Sequence, residues 1–184
     1  MIDRGNGTPI VLIPGLQGRW EWMRPTVDAL ARYHRVITFS LCDEPTSHFA
    51  CDPKRQFDNY IEQVGVALDR AGLQKAVIAG VSYGGLIAAE FAAQHPQRVT
   101  GVVLASALHQ SWQPDRFQAM YLRAPRLLSP LFVITAPFRL RQEVTAALSG
   151  PWNRIGFFVR HAVRAVLSPT TPARMARRIA WARA

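Results

Sequence analysis

The chain has 184 residues, 49% of them apolar, which is enough for one domain with a sizeable core. No run of eighteen or more apolar residues occurs, so no membrane-spanning helix is expected. Met1–Gly5 lack the basic flank and apolar stretch of a signal peptide, and a cytoplasmic protein is expected.

The net charge of +10 is uneven, because residues 116–184 hold twelve Arg against the single acid Glu143. A basic segment can serve nucleic acid or an anionic membrane. Here the arginines are scattered among Ala, Leu and Pro, without a basic run or aromatic stacking partners. The excess reads as an Ala/Arg-rich composition, and neither nucleic acid nor membrane is expected as a partner. Cys42 and Cys51 fit neither a Cys-x-x-Cys redox pair nor a zinc framework, and free thiols are expected.

In chain order, Ile10–Ile13 is a short apolar run between Pro9 and Pro14-Gly15, which predicts a buried strand ending in a sharp turn. Trp22, Met23, Val27, Leu30 and Tyr33 fall at helical spacing, with Pro25 in the first turn, where its missing N–H costs nothing. Val36–Phe39 predicts a second strand, and residues 41–54 a loop. Asp58–Ala71 reads as a helix with Ile61, Val64, Leu68 and Ala71 on one face and Gly72 as its C-cap. Lys75–Val81 is a strand, Leu86–His95 a helix stopped by Pro96, and Val99–Ala105 another strand. Alternation of this kind implies a parallel sheet with helices on both faces. From Pro114 onward the pattern is helical and broken by prolines; Leu131–Thr135 suits a short strand or a helix equally.

Gly80-Val81-Ser82-Tyr83-Gly84 fits G-x-S-x-G, with a strand leading in and a helix leading out. A serine on so tight a turn is strained, and Gly80 and Gly84 let backbone and helix approach closely. The turn lifts the hydroxyl above the end of the sheet, and the next helix aims its N-terminal N–H groups there. A plain strand-to-helix turn with an N-capping serine is the bland alternative. Directly after the first strand comes Pro14-Gly15-Leu16-Gln17-Gly18. Acyl transfer needs two N–H donors for the developing oxyanion. The residue after the nucleophile, Tyr83, supplies one, and the early loop supplies the other, at Leu16. The glycines in that loop are equally consistent with a simple connecting turn.

These segments resemble the α/β-hydrolase superfamily, in its serine-nucleophile branch, over roughly residues 8–107. The implied fold is an α/β protein with an incomplete parallel-sheet hydrolase core at residues 1–111 and a helical cap at 112–184. The family's oxyanion loop usually opens with His-Gly, and Pro14 stands here in the histidine position. The resemblance implies an esterase- or lipase-like hydrolase forming an acyl-enzyme on Ser82, with no cofactor and no metal. A small apolar, ester-like substrate is expected, and the cap aromatics Trp112, Phe117, Tyr121, Phe132, Phe138, Trp152, Phe157, Phe158 and Trp181 either line its pocket or simply hold the helices together. Members that use an aspartate nucleophile are disfavoured, because Ser82 holds that place.

The family order is Ser, then Asp or Glu, then His, on loops after late strands. No later strand pair follows the helical segment; the sequence stops mid-helix at Trp181–Ala184 and begins directly at the first core strand, without a leading hairpin. A fragment without its acid and base, inactive by itself, is therefore expected. Among the local candidates His34, His48, His95, His109 and His161, with Asp115 as an orienting acid and Asp43 and Asp52 as turn residues, none is assigned a catalytic role. The alternative is a non-hydrolytic or non-catalytic protein of the same fold. No G-x-G-x-x-G, phosphate loop or metal-ligand spacing is present.

Overall fold

The computed structural model describes residues 1–107, 113, 116–124, 127–128, 150–167 and 171–182. The chain divides into two compact units, Met1–Trp112 with Arg177–Ala184, and Gln113–Ala176.

The first unit is built on a five-stranded sheet: β1 (Ile2–Arg4), β2 (Pro9–Ile13), β3 (Arg35–Thr38), β4 (Ala76–Val81) and β5 (Val99–Ala105), in the order β1-β3-β2-β4-β5. Strands β2 to β5 pair in parallel, and β1 pairs antiparallel with β3. Three helices cross between the parallel strands: α1 (Arg24–Leu30), after a 3-10 turn at Trp20–Met23, α2 (Asp58–Arg70) and α3 (Tyr83–Gln94). Successive residues of a strand point to opposite faces. Val11 and Ile13 accordingly join Ile37, Ile78 and the buried sides of α2 and α3 in the larger core cluster. Leu12, Val36 and Ala79 pack on the other face against Val27 of α1. This two-sided burial explains why β2, β3 and β4 read as continuous apolar runs.

Helix α2 ends as its sequence implies. Gly72 takes φ +66° and the Leu73 N–H donates to Leu68 O at 2.9 Å, the bond that closes a Schellman turn. Strand β1 differs from expectation, since a strand does precede the first core strand. Ile2-Asp3-Arg4 carries no apolar alternation, so it gives no periodic signal. It is held at the edge by ladder bonds to β3 and by Arg35, which forks onto Asp3 at 2.7 and 3.1 Å. At the other edge, β5 leaves Val102, Val103 and Leu104 each about half exposed.

The described part of the second unit is helical: α4 (Arg116–Arg123), α5 (Pro151–Leu167) and the first turns of α6 (Pro172–Trp181). Trp152, Ile155, Val159 and Val163 form an exposed apolar stripe along α5, and Phe157 and Phe158 meet edge to face at 5.7 Å. The ambiguous Leu131–Thr135 lies outside the described residues. Among the described residues no helix is long and apolar enough to cross a membrane.

Candidate active site

Ser82 stands alone between β4 and α3, with φ +52° and ψ −116°. A positive φ is costly for any residue with a Cβ, and such strain persists only where neighbouring structure imposes it. Here the Ser82 N–H donates to Ala105 O at 2.9 Å, and the Ser82 carbonyl accepts from Gly85 N–H at 2.9 Å. The register that sets Ile13 beside Gly80 and Val81 beside Ala105 brings the ends of β2, β4 and β5 together around it.

The glycines of the turn are required by space. A Cβ at Gly80 would lie inside contact with the Gly84 carbonyl; one at Gly84 would stand 2.5 Å from Ile13 O and 2.6 Å from Pro14 O. A Cβ at Gly85 would collide with the Ala107 methyl. Helix α3 therefore starts directly after Ser82, three residues earlier than the Leu86 start read from the sequence. Tyr-Gly-Gly has poor helix propensity, and tertiary packing overrides it.

The early loop lies against this turn. A Cβ at Gly15 would be 3.6 Å from the Ser82 Cβ and 3.3 Å from Val81 O. The Gly15 carbonyl accepts from the Gly18 N–H at 2.8 Å, and the Leu16 carbonyl accepts from Arg178 Nη1 at 2.7 Å. Tyr83 opens α3, where helix geometry leaves its N–H without an intrahelical partner. Its side chain is buried, edge-on to Phe57 and Tyr60 at 6.1 Å. The Tyr83 hydroxyl donates to the Arg178 carbonyl at 2.9 Å. Burial pushes the Tyr83 phenol well above its ordinary range.

Beneath the loop sits an ion cluster that the sequence did not reveal. Arg178 of α6 is fully buried; its Nε and Nη2 donate to Asp43 Oδ1 at 3.1 and 2.8 Å, and Nη2 also donates to Glu44 Oε1 at 2.5 Å. Arg177 reaches the other Asp43 oxygen at 3.1 Å from a half-exposed position. Burial pulls the Arg178 guanidinium down, and the charge and hydrogen bonds of Asp43 and Glu44 outweigh it, leaving the group above its ordinary value. Asp43 is thus a buried ion-pair partner. Asp52 is a turn residue, its carboxylate accepting from Lys54 N–H at 2.9 Å.

His34 directly precedes β3, at the N-terminal end of the parallel strands, opposite the end that carries Ser82. His95 caps the far end of α3, about 18 Å along the helix from Ser82, with its ring 4.9 Å from Phe91. His48 is exposed, and its carbonyl accepts from Arg70 at the last turn of α2. None of these contacts reaches Ser82 or the Gly15–Leu16 turn. His109 and Asp115 lie outside the described residues, and His161 lies on α5. An open cleft of about 510 Å³ between α2 and α3, lined by Arg55, Glu62, His95 and Arg98, lies away from the serine turn. Cys42 and Cys51 are free thiols, and burial pushes the Cys42 thiol far up. Among the described residues no cluster of His, Cys, Asp and Glu is placed to hold a metal.

A strained serine at a strand-to-helix turn, on a largely parallel sheet, defines a class of protein. The alpha/beta hydrolase fold family model matches residues 8–149, and the chain belongs to that family. It is 33% identical over 102 residues to the provisionally named carbamate hydrolase RutD of Azorhizobium caulinodans, covering 55% of this chain and 38% of that protein. It is 31% identical over 106 residues to the 2-hydroxymuconate semialdehyde hydrolase of Pseudomonas sp. strain CF600, covering 55% of this chain and 37% of that protein. Over 104 residues it is 35% identical to the dihydrolipoyllysine-residue acetyltransferase component of an acetoin cleaving system of Pseudomonas putida, covering 55% and 27%. The matched stretch thus spans less than two fifths of each of these relatives. The solved enol-lactonase from Burkholderia xenovorans LB400 has the same fold, with a TM-score of 0.73 at 21% identity over 100% of this chain and 69% of that one.

Proposed function

We propose that Ser82 is the nucleophile of a hydrolase acting on a small, apolar, ester-like molecule through an acyl-enzyme. The observation that carries this reading is the strained Ser82, set between β4 and α3 with the Gly15–Leu16 turn against it. The hydroxyl oxygen attacks the substrate carbonyl, the carbonyl oxygen becomes an oxyanion, and the alcohol leaves; water then releases the acid and restores the serine. The backbone N–H groups of Leu16 and Tyr83 hold the oxyanion, and the N-terminus of α3 adds its partial positive charge. Relatives named as hydrolases of small molecules support the reaction class. The division into a hydrolase core at residues 1–111 and an aromatic helical cap at 112–184 belongs to the same proposal. So does a cytoplasmic setting, with which free Cys42 and Cys51 agree.

A serine hydroxyl needs a base, and His34, just before β3, and His95, at the far end of α3, lie at the opposite end of the strands from Ser82. We therefore propose that residues 1–184 alone do not turn over esters. Ester hydrolysis by the 184-residue chain is expected at the buffer rate, with Ser82→Ala indistinguishable from it; turnover abolished by Ser82→Ala would overturn this part. For the nucleophile itself, a fluorophosphonate probe on the full-length protein containing these residues is expected to label Ser82.

The second reading keeps the fold without hydrolysis. It is favoured by one matched relative being named an acetyltransferase component. A structure of the full-length protein in which no imidazole reaches Ser82 would support it.

A further inference from the structure

We infer that Arg178 is a positioning residue for the oxyanion site, holding the Leu16 donor in place from beneath. The inference rests on the reading of Ser82 given above and extends it to a residue far away in the sequence.

The direction of the Leu16 N–H is set by the peptides on its two sides. In a planar trans peptide the N–H points opposite to the preceding carbonyl. That carbonyl belongs to Gly15 and is tied to the Gly18 N–H at 2.8 Å. The following carbonyl, Leu16 O, accepts from Arg178 Nη1 at 2.7 Å. With both carbonyls tied, the loop cannot turn the N–H between them without breaking a hydrogen bond.

Three further observations single out Arg178. It is fully buried, and its remaining guanidinium nitrogens are spent on Asp43 and Glu44, so the fork cannot swing away from Leu16 without stranding two buried carboxylates. Gly18, at φ +71°, leaves the room the guanidinium occupies, since a Cβ there would fall on Arg178 Cζ and its terminal nitrogens. Finally, the Arg178 carbonyl accepts the Tyr83 hydroxyl at 2.9 Å. One residue thus links the two residues proposed to supply the donors, Leu16 through its carbonyl and Tyr83 through its side chain.

The test uses the full-length protein with Arg178→Lys, Arg178→Gln and Ser82→Ala. Turnover of an activated ester is expressed per serine titrated by a fluorophosphonate, which removes any loss of folded protein from the comparison. Arg178→Gln is expected to lower kcat by about 10²-fold with KM within about threefold, the signature of a misplaced transition-state contact. Arg178→Lys keeps the charge without the fork and is expected to recover only part of that loss. In parallel, amide hydrogen exchange in Arg178→Lys is expected to quicken tenfold or more at Leu16–Gly18 while Ile78 and Ala79 of β4 stay protected. Unchanged kcat per titrated serine in Arg178→Gln, or in Arg178→Lys if the glutamine variant does not fold, overturns the inference and leaves the Ser82 reading standing. Full turnover by Ser82→Ala overturns the Ser82 reading instead. In that event slow exchange at Leu16–Gly18 in Arg178→Lys also removes Arg178 as the holder of the loop.

Discussion

Asp43 and Arg178 are 135 residues apart in the chain and meet in a fork, with Nε and Nη2 at 3.1 and 2.8 Å from one carboxylate oxygen and both side chains almost wholly buried. Removing one member of such a pair strands a charge in the interior. Arg178→Met, which leaves Asp43 and Glu44 buried without their shared cation, is therefore expected to destabilise the fold by about 3–5 kcal/mol. Replacing Arg178 by Met together with Asp43→Asn and Glu44→Gln should recover most of that loss, because the cost lies in the unpaired charge. Urea unfolding midpoints of the two variants decide this; equal losses would show that the pair is held by packing alone.

The buried acids of the core set an alkaline limit. Burial raises the Cys42 thiol and the Tyr60 and Tyr83 phenols above their ordinary values. A group raised on folding contributes stability that is present below its unfolded pKa and is lost as pH rises towards the folded value. Those unfolded values are about 8.5 for the thiol and about 10 for the phenols. Stability should hold steady through neutral pH, begin to fall near pH 8.5 and fall more steeply above 10. Cys42→Ala should remove the first part of the decline. Denaturation midpoints recorded between pH 7 and 11 test this, and a profile flat to pH 11 would contradict it.

Two glycines one helix apart should answer oppositely to alanine. At Gly84 a methyl would stand 2.5 and 2.6 Å from the carbonyls of Ile13 and Pro14, so β2 and α3 must move apart. The expected cost is at least about 1–3 kcal/mol. At Gly65, inside α2, a methyl meets nothing nearer than the Phe91 ring at 3.9 Å. Gly65→Ala is expected to stabilise by about 0.4–1 kcal/mol through helix propensity and a less flexible unfolded chain. Thermal unfolding of the two variants checks the contrast; a loss at Gly65 as large as that at Gly84 would undo it.

These contrasts show what local sequence carries. Strands β2, β3 and β4 were legible because burial on both faces writes continuous apolar runs, β5 because its Val and Leu run has strand character although it lies exposed at the edge, and the serine turn because its glycines have fixed offsets from Ser82. Strand β1 was not legible, since Ile2-Asp3-Arg4 has no alternation and is ordered by its partner strand and the Asp3–Arg35 fork. The start of α3 at Tyr83 ran against local propensity. The Asp43–Glu44–Arg178 cluster left no trace at all: Asp43 sits among loop residues, Arg178 among many scattered arginines, and only the folded chain brings them under Leu16.

Ser82 is proposed as the reacting group. Treating the full-length protein with a fluorophosphonate and mapping the adduct by peptide mass is the most direct measurement of it. A single adduct on Ser82, absent in Ser82→Ala, is the predicted result. No adduct, or one undiminished in Ser82→Ala, would contradict the account.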